Sequence, residues 1–382
     1  MRTIGTSAFG VRTPIFKEGD SLTEIITNSV LNSGIELRDK DVIGITESVV
    51  ARALGKYVTL DEVSESISEL FGPSATIGLI FPIMSRNRFS SILRGVCRSA
   101  SKVVVMFSYP NDEKGNPICD MKKFDELEIS TVTFTRKEFE RTYGEFIHPF
   151  TGVNYFKLYE EIAKSENCEI EFLVSNNPRI MLNSTHNILV CDIHTRERTI
   201  SRIKYSETPS KVFSLADVCH NKCEYGLYGS NKTDENRLKL FPDVNDCRFI
   251  YEIQNKILES TGKKVEIMVY GDGCFHDPVA GIWEFADPVT SPGFTDGLIG
   301  TPNELKLKYL ADGELSGLHG EELNSVIKEK ISSKNEEIGA MGTTPRRYVD
   351  LLASLMDLVS GSGDKGTPVI LIQGYFDNYS TE

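Results

Sequence analysis

GKKVEIMVYGDGCFHDPVAGIWEFADPVTSPGFTDGL, residues 262–298, is the stretch on which the reading of this chain turns. It opens as a strand: Val265, Ile267 and Val269 alternate with Glu266, Met268 and Tyr270, the period of two of an extended segment. The strand runs into Gly271-Asp272-Gly273. Glycine lets a backbone turn sharply or approach a ligand, and a carboxylate at a strand end is a good donor to a hard cation. Asp277, Glu284, Asp287 and Asp296 follow, with the only tryptophan, Trp283. Taken alone, the motif reads equally as a polar loop with turn chemistry.

Working outward, Phe249, Ile250, Ile253 and Ile257 have helical spacing and feed the strand. On the far side, residues 303–311 read as a helix and 312–337 as an acidic, lysine-rich surface excursion. Thr344-Pro345 has the chemistry of an N-cap and first helical residue. Tyr348, Leu351, Leu352, Leu355, Met356 and Val359 then give a buried stripe. That helix ends in Ser360-Gly361-Ser362-Gly363-Asp364-Lys365-Gly366-Thr367-Pro368, followed by the strand VILIQGYF. A P-loop runs strand, loop, helix, with its lysine directly before Ser or Thr. Here the order is helix, loop, strand, and Gly366 separates Lys365 from Thr367. Backbone N–H groups and Lys365 still offer phosphate contacts.

Near the N-terminus Ser21 and Glu24 are spaced as a capping box, with Leu22, Ile25, Ile26 and Val30 on one helical face. DVIGI, residues 41–45, is a short strand running into Thr46-Glu47-Ser48 and Arg52, hydroxyls and a cation directly after a strand. A capped helix start is the simpler explanation of these residues.

Residues 73–215 change rhythm. ATIGLIF, KVVVMFS, CEIEFLVS, NILVCDI and KVF are apolar strands separated by helical segments, which predicts a mostly parallel sheet with helices on its faces. Ligands of such sheets sit outside the carboxyl ends of the strands. Two of those ends carry arginines, at Arg86 and Arg88 and at Asp192-Ile193-His194-Thr195-Arg196, and arginine favours an anionic ligand. Ordinary solvated loops remain the alternative. Asp192 and His194 admit a second reading, as an acid/base pair on one strand face, against a capping aspartate and a surface histidine. No G-x-G-x-x-G follows the first strand, which speaks against a dinucleotide site.

The 382 residues are 40% hydrophobic with a net charge of −13, a globular composition that argues against a nucleic-acid or anionic-membrane binder. No apolar run approaches the roughly 20 residues of a membrane span, and no signal-peptide core is present. A cytoplasmic protein is expected. The eight cysteines are scattered, as buried reduced thiols would be. Cys219-His220-x-x-Cys223 has no second ligand pair, as zinc sites usually do.

Several stretches, in order, resemble the coenzyme F420-0:L-glutamate ligase family: IFKEGDSLTEII, DVIGITESVVARALG, GLYGSNK, ILESTGKKVEIMVYGDG and SGSGDKGTPVILIQG. They cover most of 10–65 and 220–376. The resemblance implies a mixed α+β ligase core, residues 1–72 and 216–382, with an inserted, alternating α/β domain over 73–215. It implies a GTP-dependent enzyme using Mg2+ or Mn2+, a homodimer, that adds L-glutamate to a carboxylated acceptor through an acyl phosphate. F420-0 or a folate-like cofactor would be such an acceptor. Carried over, Arg12, Thr13, Pro14, Ile15, Glu47, Ser48, Arg52, Asn231 and the loop Gly361, Ser362, Gly363, Asp364, Lys365, Gly366, Thr367 would meet the nucleotide. Asp272, the catalytic carboxylate of this reading, would hold metal, with Asp364, two residues from the family's acidic position, as a second ligand. The acidic acceptor is expected at the arginine-bearing strand ends of 73–215, Arg86, Arg88, Asp192, His194 and Arg196, on their charge and not on the resemblance.

The departures are specific. The family's GLYGSN-like loop carries an aspartate metal ligand where this chain has Tyr228, and a phenol is a poor divalent ligand at neutral pH. A family acidic ligand falls near Ser362, and a family lysine is Arg52 here. Asp277, Glu284, Asp287 and Asp364 are replacements within the sequence. A binding protein that kept the scaffold and lost catalysis is the alternative.

Overall fold

The computed structural model describes residues 4–380 except 113–114, 128–129, 150, 194, 206–208, 272–273, 277–282, 286–289, 335–345 and 362, with the backbone alone at 274–276, 283–285 and 290. The chain divides into two compact units, one of Met1–Gly55, Pro242–Gly273 and Ala286–Glu382, the other of Lys56–Phe241 and Cys274–Phe285.

The first unit opens with β1 (Ser7–Val11), α1 (Leu22–Leu31), β2 (Val42–Thr46) and α2 (Glu47–Ala53). Ser21 caps α1, its Oγ accepting from Glu24 N at 3.3 Å. The reciprocal half of the expected capping box is not made, because the Glu24 carboxylate pairs with Lys256 instead. Leu22, Ile26 and Val30 form the buried face.

The second unit begins with β3 (Tyr57–Thr59) and α3 (Leu60–Phe71), where Thr59 and Glu62 do make a full capping box. Then come β4 (Thr76–Ile80), α4 (Phe89–Ser99), β5 (Lys102–Phe107), α5 (Met121–Leu127), β6 (Phe134–Thr135), α6 (Arg136–Tyr143), α7 (Tyr155–Ser165), β7 (Glu169–Val174), β8 (Asn187–Val190), α8 (Arg196–Lys204) and β9 (Lys211–Ser214). Their sheet has the order β6-β7-β5-β4-β8-β9, parallel throughout except for β6. The β-branched and aromatic run KVVVMF of β5 is buried on both faces. Val103, Val105 and Phe107 face the cluster that holds Ile92, Val96 and Phe156, and Val104 and Met106 face Met181 and Ile203. Two short strands, β10 (Asn231–Lys232) and β11 (Arg237–Lys239), close the unit. β11 pairs antiparallel with β3, and Leu240 N donates to Lys56 O at 2.9 Å, so the segment starts and finishes side by side.

The chain then forms α9 (Phe249–Thr261), β12 (Glu266–Gly271), the hairpin β13 (Cys274–His276) and β14 (Trp283–Phe285), β15 (Thr290–Phe294), α10 (Leu307–Asp312), α11 (Gly320–Ser333), α12 (Tyr348–Ser360) and β16 (Val369–Gln373). The first unit's sheet has the order β1-β16-β2-β12-β15, with β2 and β12 parallel. The alternation read in 262–298 marks a strand covered on both sides. Val265, Ile267 and Val269 pack toward α1 and α9, while Met268 and Tyr270 pack toward α12. Even Glu266 is buried, accepting from Gln254 Nε2 (3.2 Å), Thr295 Oγ1 (2.5 Å) and Gly297 N (3.2 Å). A layer of helices lies on each face of this sheet.

Mixed α/β architecture is therefore confirmed. Two local expectations change. In 303–311 the helix begins only at Leu307. The excursion after it contains α11, whose Ile327 and Ile331 join Leu315 in a small apolar cluster. The expected cap Thr344-Pro345 lies outside the described residues, and Arg347 takes the N-cap position of α12, bonded to Asp350 at 2.8 and 3.0 Å. No helix among the described residues is long and apolar enough to cross a membrane.

Candidate functional site

A cavity of about 290 Å3 in the first unit gathers three separate stretches. Thr13, Pro14, Ile15 and Phe16 come from the segment after β1; Thr46, Ser48, Val49 and Arg52 from the end of β2 and from α2. Ser360, Gly361, Gly363, Gly366, Thr367 and Pro368 come from the loop between α12 and β16. Sheet pairing explains the meeting. β16 lies between β1 and β2, so the loop entering β16 reaches both neighbours: Thr13 N donates to Gly366 O (3.4 Å) and Thr46 N to Pro368 O (2.9 Å). Gly361, at φ +61, turns the chain out of α12, a conformation glycine adopts without strain. Lys365 arches back over it: a Cβ on Gly361 would lie 2.5 Å from Lys365 Nζ.

Arg52 and Lys365 are exposed and make no ion pair among the described residues, in a protein whose net charge is −13. Two unpaired cations beside a glycine-rich loop are the electrostatics of an anion site. Arg12, also without an ion pair among the described residues, lines a separate groove of about 860 Å3 between β1 and α1. Asp364 and Lys365 are exposed on the loop, and Ser362 lies outside the described residues. Asn231 lies in the second unit, on β10. Phe16, Thr46, Val49, Ser360 and Pro368 share the cavity without having been assigned to the nucleotide; each adjoins a residue that was.

Asp272, Asp277 and Asp287 lie outside the described residues, as does the side chain of Glu284. What is described is the position just before Asp272. β2 and β12 run parallel with Thr46 opposite Tyr270, so Glu47, which opens α2, and Gly271, which ends β12, come next in the two chains. The Glu47 side chain crosses Gly271 so closely that a Cβ there would fall 2.1 Å from Glu47 Cγ. Glu47 is 7% exposed. No group of three or more His, Cys, Asp or Glu side chains among the described residues is arranged as a metal site. Of the two carboxylates expected at the metal, Asp364 lies among the described residues, and its carboxylate is a hard oxygen donor of the kind Mg2+ and Mn2+ take.

In the second unit the parallel strands follow the chain order 3-2-1-4-5 across the sheet, so the winding reverses between β4 and β8. The segments leaving these two strands carry the remaining candidates. Arg86 is exposed and makes no ion pair among the described residues. Arg88 begins α4, its N–H donating to Ser85 Oγ at 2.8 Å. Asp192 is buried: Oδ2 accepts from Thr195 Oγ1 (2.7 Å) and Thr199 Oγ1 (2.8 Å), while Oδ1 has no hydrogen-bond partner among the described residues. Burial pushes its pKa up to about 6. Arg196 is buried too, stacked 4.2 Å over the Tyr228 ring, with Nη1 donating to Ile193 O. His194 lies outside the described residues. Tyr228, 1% exposed, donates to Asp192 O at 3.1 Å, and Lys232 N to Asn87 O at 3.2 Å, which ties the GLYGSNK loop to this end of the sheet. Ser230 Oγ in that loop is also buried and unpartnered.

Two further groups have local roles. Cys219 and Cys223 are free thiols directed at Glu62 O and Phe241 O. His148 and Asp112, a buried pair the sequence did not suggest, meet at 3.2 Å. His148 Nδ1 accepts from Thr151 N, so both ring nitrogens are engaged. They stand 36 residues apart, with no motif to announce them.

No curated protein matches the chain. The sequence model of the family F420-0:Gamma-glutamyl ligase matches residues 10–374, nearly the whole length. The second unit falls inside that match, as do the three stretches around the 290 Å3 cavity. This chain belongs to the F420-0:gamma-glutamyl ligase family, a family of amide-bond-forming ligases.

Proposed function

We propose that the protein joins the amine of L-glutamate to a carboxylate of an acidic small-molecule acceptor, F420-0 or a folate-like cofactor, at the expense of GTP. The observation that carries this is the convergence of 13–16, 46–52 and 360–368 on one cavity beside unpaired Arg52 and Lys365. In this reading Arg52, Lys365 and the backbone of 361–367 hold the nucleotide's phosphates, with Arg12, Glu47, Ser48 and Asn231 as further nucleotide contacts. Asp272 and Asp364 hold Mg2+ or Mn2+, which when bound offsets charge on the transferring phosphoryl group.

The chemistry balances as two displacements. An acceptor carboxylate oxygen attacks the γ-phosphorus, giving an acyl phosphate and GDP. The glutamate nitrogen then attacks the acyl carbon; the C–O bond to phosphate breaks, phosphate leaves, and the amine loses a proton. A carboxylate resists amines until so activated. Arg86, beyond the carboxyl end of β4, makes no ion pair among the described residues and can meet an acidic acceptor; the Ser230 hydroxyl is a donor to it, and Asp192 Oδ1 would accept from an N–H or O–H of the acceptor. Arg88, His194 and Arg196 complete the proposed acceptor set. A homodimer and a cytoplasmic setting belong to the same reading, and the free thiols among the described residues suit a reducing compartment.

Tyr228 favours one other reading. Its phenol is committed to Asp192 O and its ring to Arg196, so it offers nothing to a cation. A protein that lost that ligand without replacement would bind nucleotide and not turn it over. Thermal stabilisation by GDP with Mn2+, abolished in the double variant Arg52→Ala/Lys365→Ala, supports the nucleotide site. No stabilisation of the wild type at millimolar GDP rejects it.

A further inference from the structure

We propose that the groove of about 860 Å3 between β1 and α1 holds an extended, amide-linked acidic chain, the glutamyl residues already joined to the acceptor. The inference rests on the ligase reading above and moves Arg12 within it, from the nucleotide to this chain. A product that ends in a new glutamate carries a carboxylate like the one just consumed, and can serve as acceptor again. Its end must then reach the γ-phosphorus, with the residues already added lying alongside.

The groove is placed for that. All of its lining belongs to the first unit. Pro14 lines both the groove and the 290 Å3 cavity, and Gly10 of β1 backs onto the glycine-rich loop: a Cβ on Gly10 would fall 3.1 Å from Thr367 Cβ. Among the described residues β1 is the outermost strand of its sheet, paired with β16 on one side only. Alternate main-chain N–H and C=O groups therefore point away from the sheet, the groups an extended chain pairs with when it adds to an edge. The five residues of β1 run about 17 Å, enough for more than one linked glutamate.

Charge selects the ligand. Among the described residues Arg12 is the one charged side chain in the lining, in a protein of net charge −13. It is exposed and makes no ion pair among those residues. The other wall is the last turn of α1 and its cap, where the side chains of Asn28, Ser29 and Asn32 make no hydrogen bond among the described residues. A helix C-terminus is partially negative and disfavours a bare polyanion. An amide-linked glutamyl chain suits both walls, with carboxylates for Arg12 and amide N–H and C=O groups for the asparagines and the strand edge.

The test is calorimetric binding of tetra-γ-L-glutamate to the full chain, for wild type, Arg12→Ala and Asn28→Trp, which fills the groove from α1. Melting curves establish that each variant is folded, and stabilisation by GDP with Mn2+ is read on the same samples. Wild type is expected to bind the oligomer, more weakly as salt rises. Arg12→Ala should lose about tenfold or more in affinity, as removal of a charge-assisted hydrogen bond does. Asn28→Trp should lose binding too, with stabilisation by GDP unchanged in both variants. Equal affinity in wild type and both variants overturns the proposal. So does equal affinity for tetra-α-L-glutamate, which marks a groove for acidic peptides in general. Oligomer binding that halves the sedimenting mass also overturns it, because a second copy then fills the groove. Loss of GDP stabilisation in Arg12→Ala with unchanged oligomer binding returns Arg12 to the nucleotide. Wild-type protein stabilised by GDP that binds no oligomer at millimolar concentration refutes the groove alone, whereas oligomer binding without GDP stabilisation keeps the groove and refutes the nucleotide site of the ligase reading.

Discussion

Asp192→Asn is expected to stabilise the protein at neutral pH and to do so in a pH-dependent way. Burial raises the Asp192 pKa from 3.8 to about 6, against hydrogen bonds from Thr195 and Thr199 that pull it down. A raised carboxyl pKa means that the folded state holds a proton the unfolded state has released. The stability linked to that proton is complete below pH 3.8 and is lost as pH rises toward 6. Above pH 6 the fold carries a buried charge at a cost of about 3 kcal/mol. Asparagine removes the charge and keeps an oxygen for both threonines, but its N–H groups face the place where Oδ1 has no partner, which returns about 1–2 kcal/mol. A net gain of about 1–2 kcal/mol remains, and roughly 2–4 °C in Tm accompanies each kcal/mol in a domain of this size. Circular-dichroism melts of both proteins from pH 4 to 8 should show a difference near zero or slightly negative at pH 4 that grows through pH 6. A difference that stays constant with pH would refute the reasoning.

Other expectations follow from the same contacts. Gly44→Ala should destabilise the first unit by about 1–3 kcal/mol in urea unfolding, since its Cβ would lie 2.0 Å from Met356 Sδ. Tyr228→Phe, losing the bond to Asp192 O, should cost about 1 kcal/mol and leave Mn2+ affinity unchanged; a drop in Mn2+ affinity would put Tyr228 at the metal after all. Arg86→Ala should raise the KM for the acceptor and leave the KM for GTP alone. Sedimentation equilibrium should give twice the chain mass of 42.7 kDa; a single mass would dispose of the proposed homodimer.

Local patterning made much of the fold legible. The helical stripes at Ile250, Ile253 and Ile257 and at Leu352 and Met356 are buried as their spacing requires. The strand–helix rhythm of 73–215 gives the parallel sheet it predicts. What periodicity could not say is how many sides of β12 are covered, because alternation records two faces and not what lies against each. It is silent as well on pairing between distant segments. Nothing near Glu47 indicates that it will lie across Gly271, 224 positions later, since only the register of β2 with β12 brings them together. Nor does the sequence show that Tyr228 and Arg196 stack on each other, or that Asp192 keeps one oxygen empty. Arginine and aspartate at strand ends look alike whether they face solvent or fill a core, and here Arg86 does the first and Arg196 the second.

Phosphate release is the most direct test of the proposed activity. Purified protein with GTP, Mn2+, F420-0 or a folate as acceptor, and L-glutamate should release phosphate only when both acceptor and glutamate are present, and the acceptor should gain the mass of one or more glutamyl residues. GTP and Mn2+ bound without phosphate release, across the acceptors and at saturating glutamate, would contradict the ligase reading and leave a nucleotide-binding protein in its place.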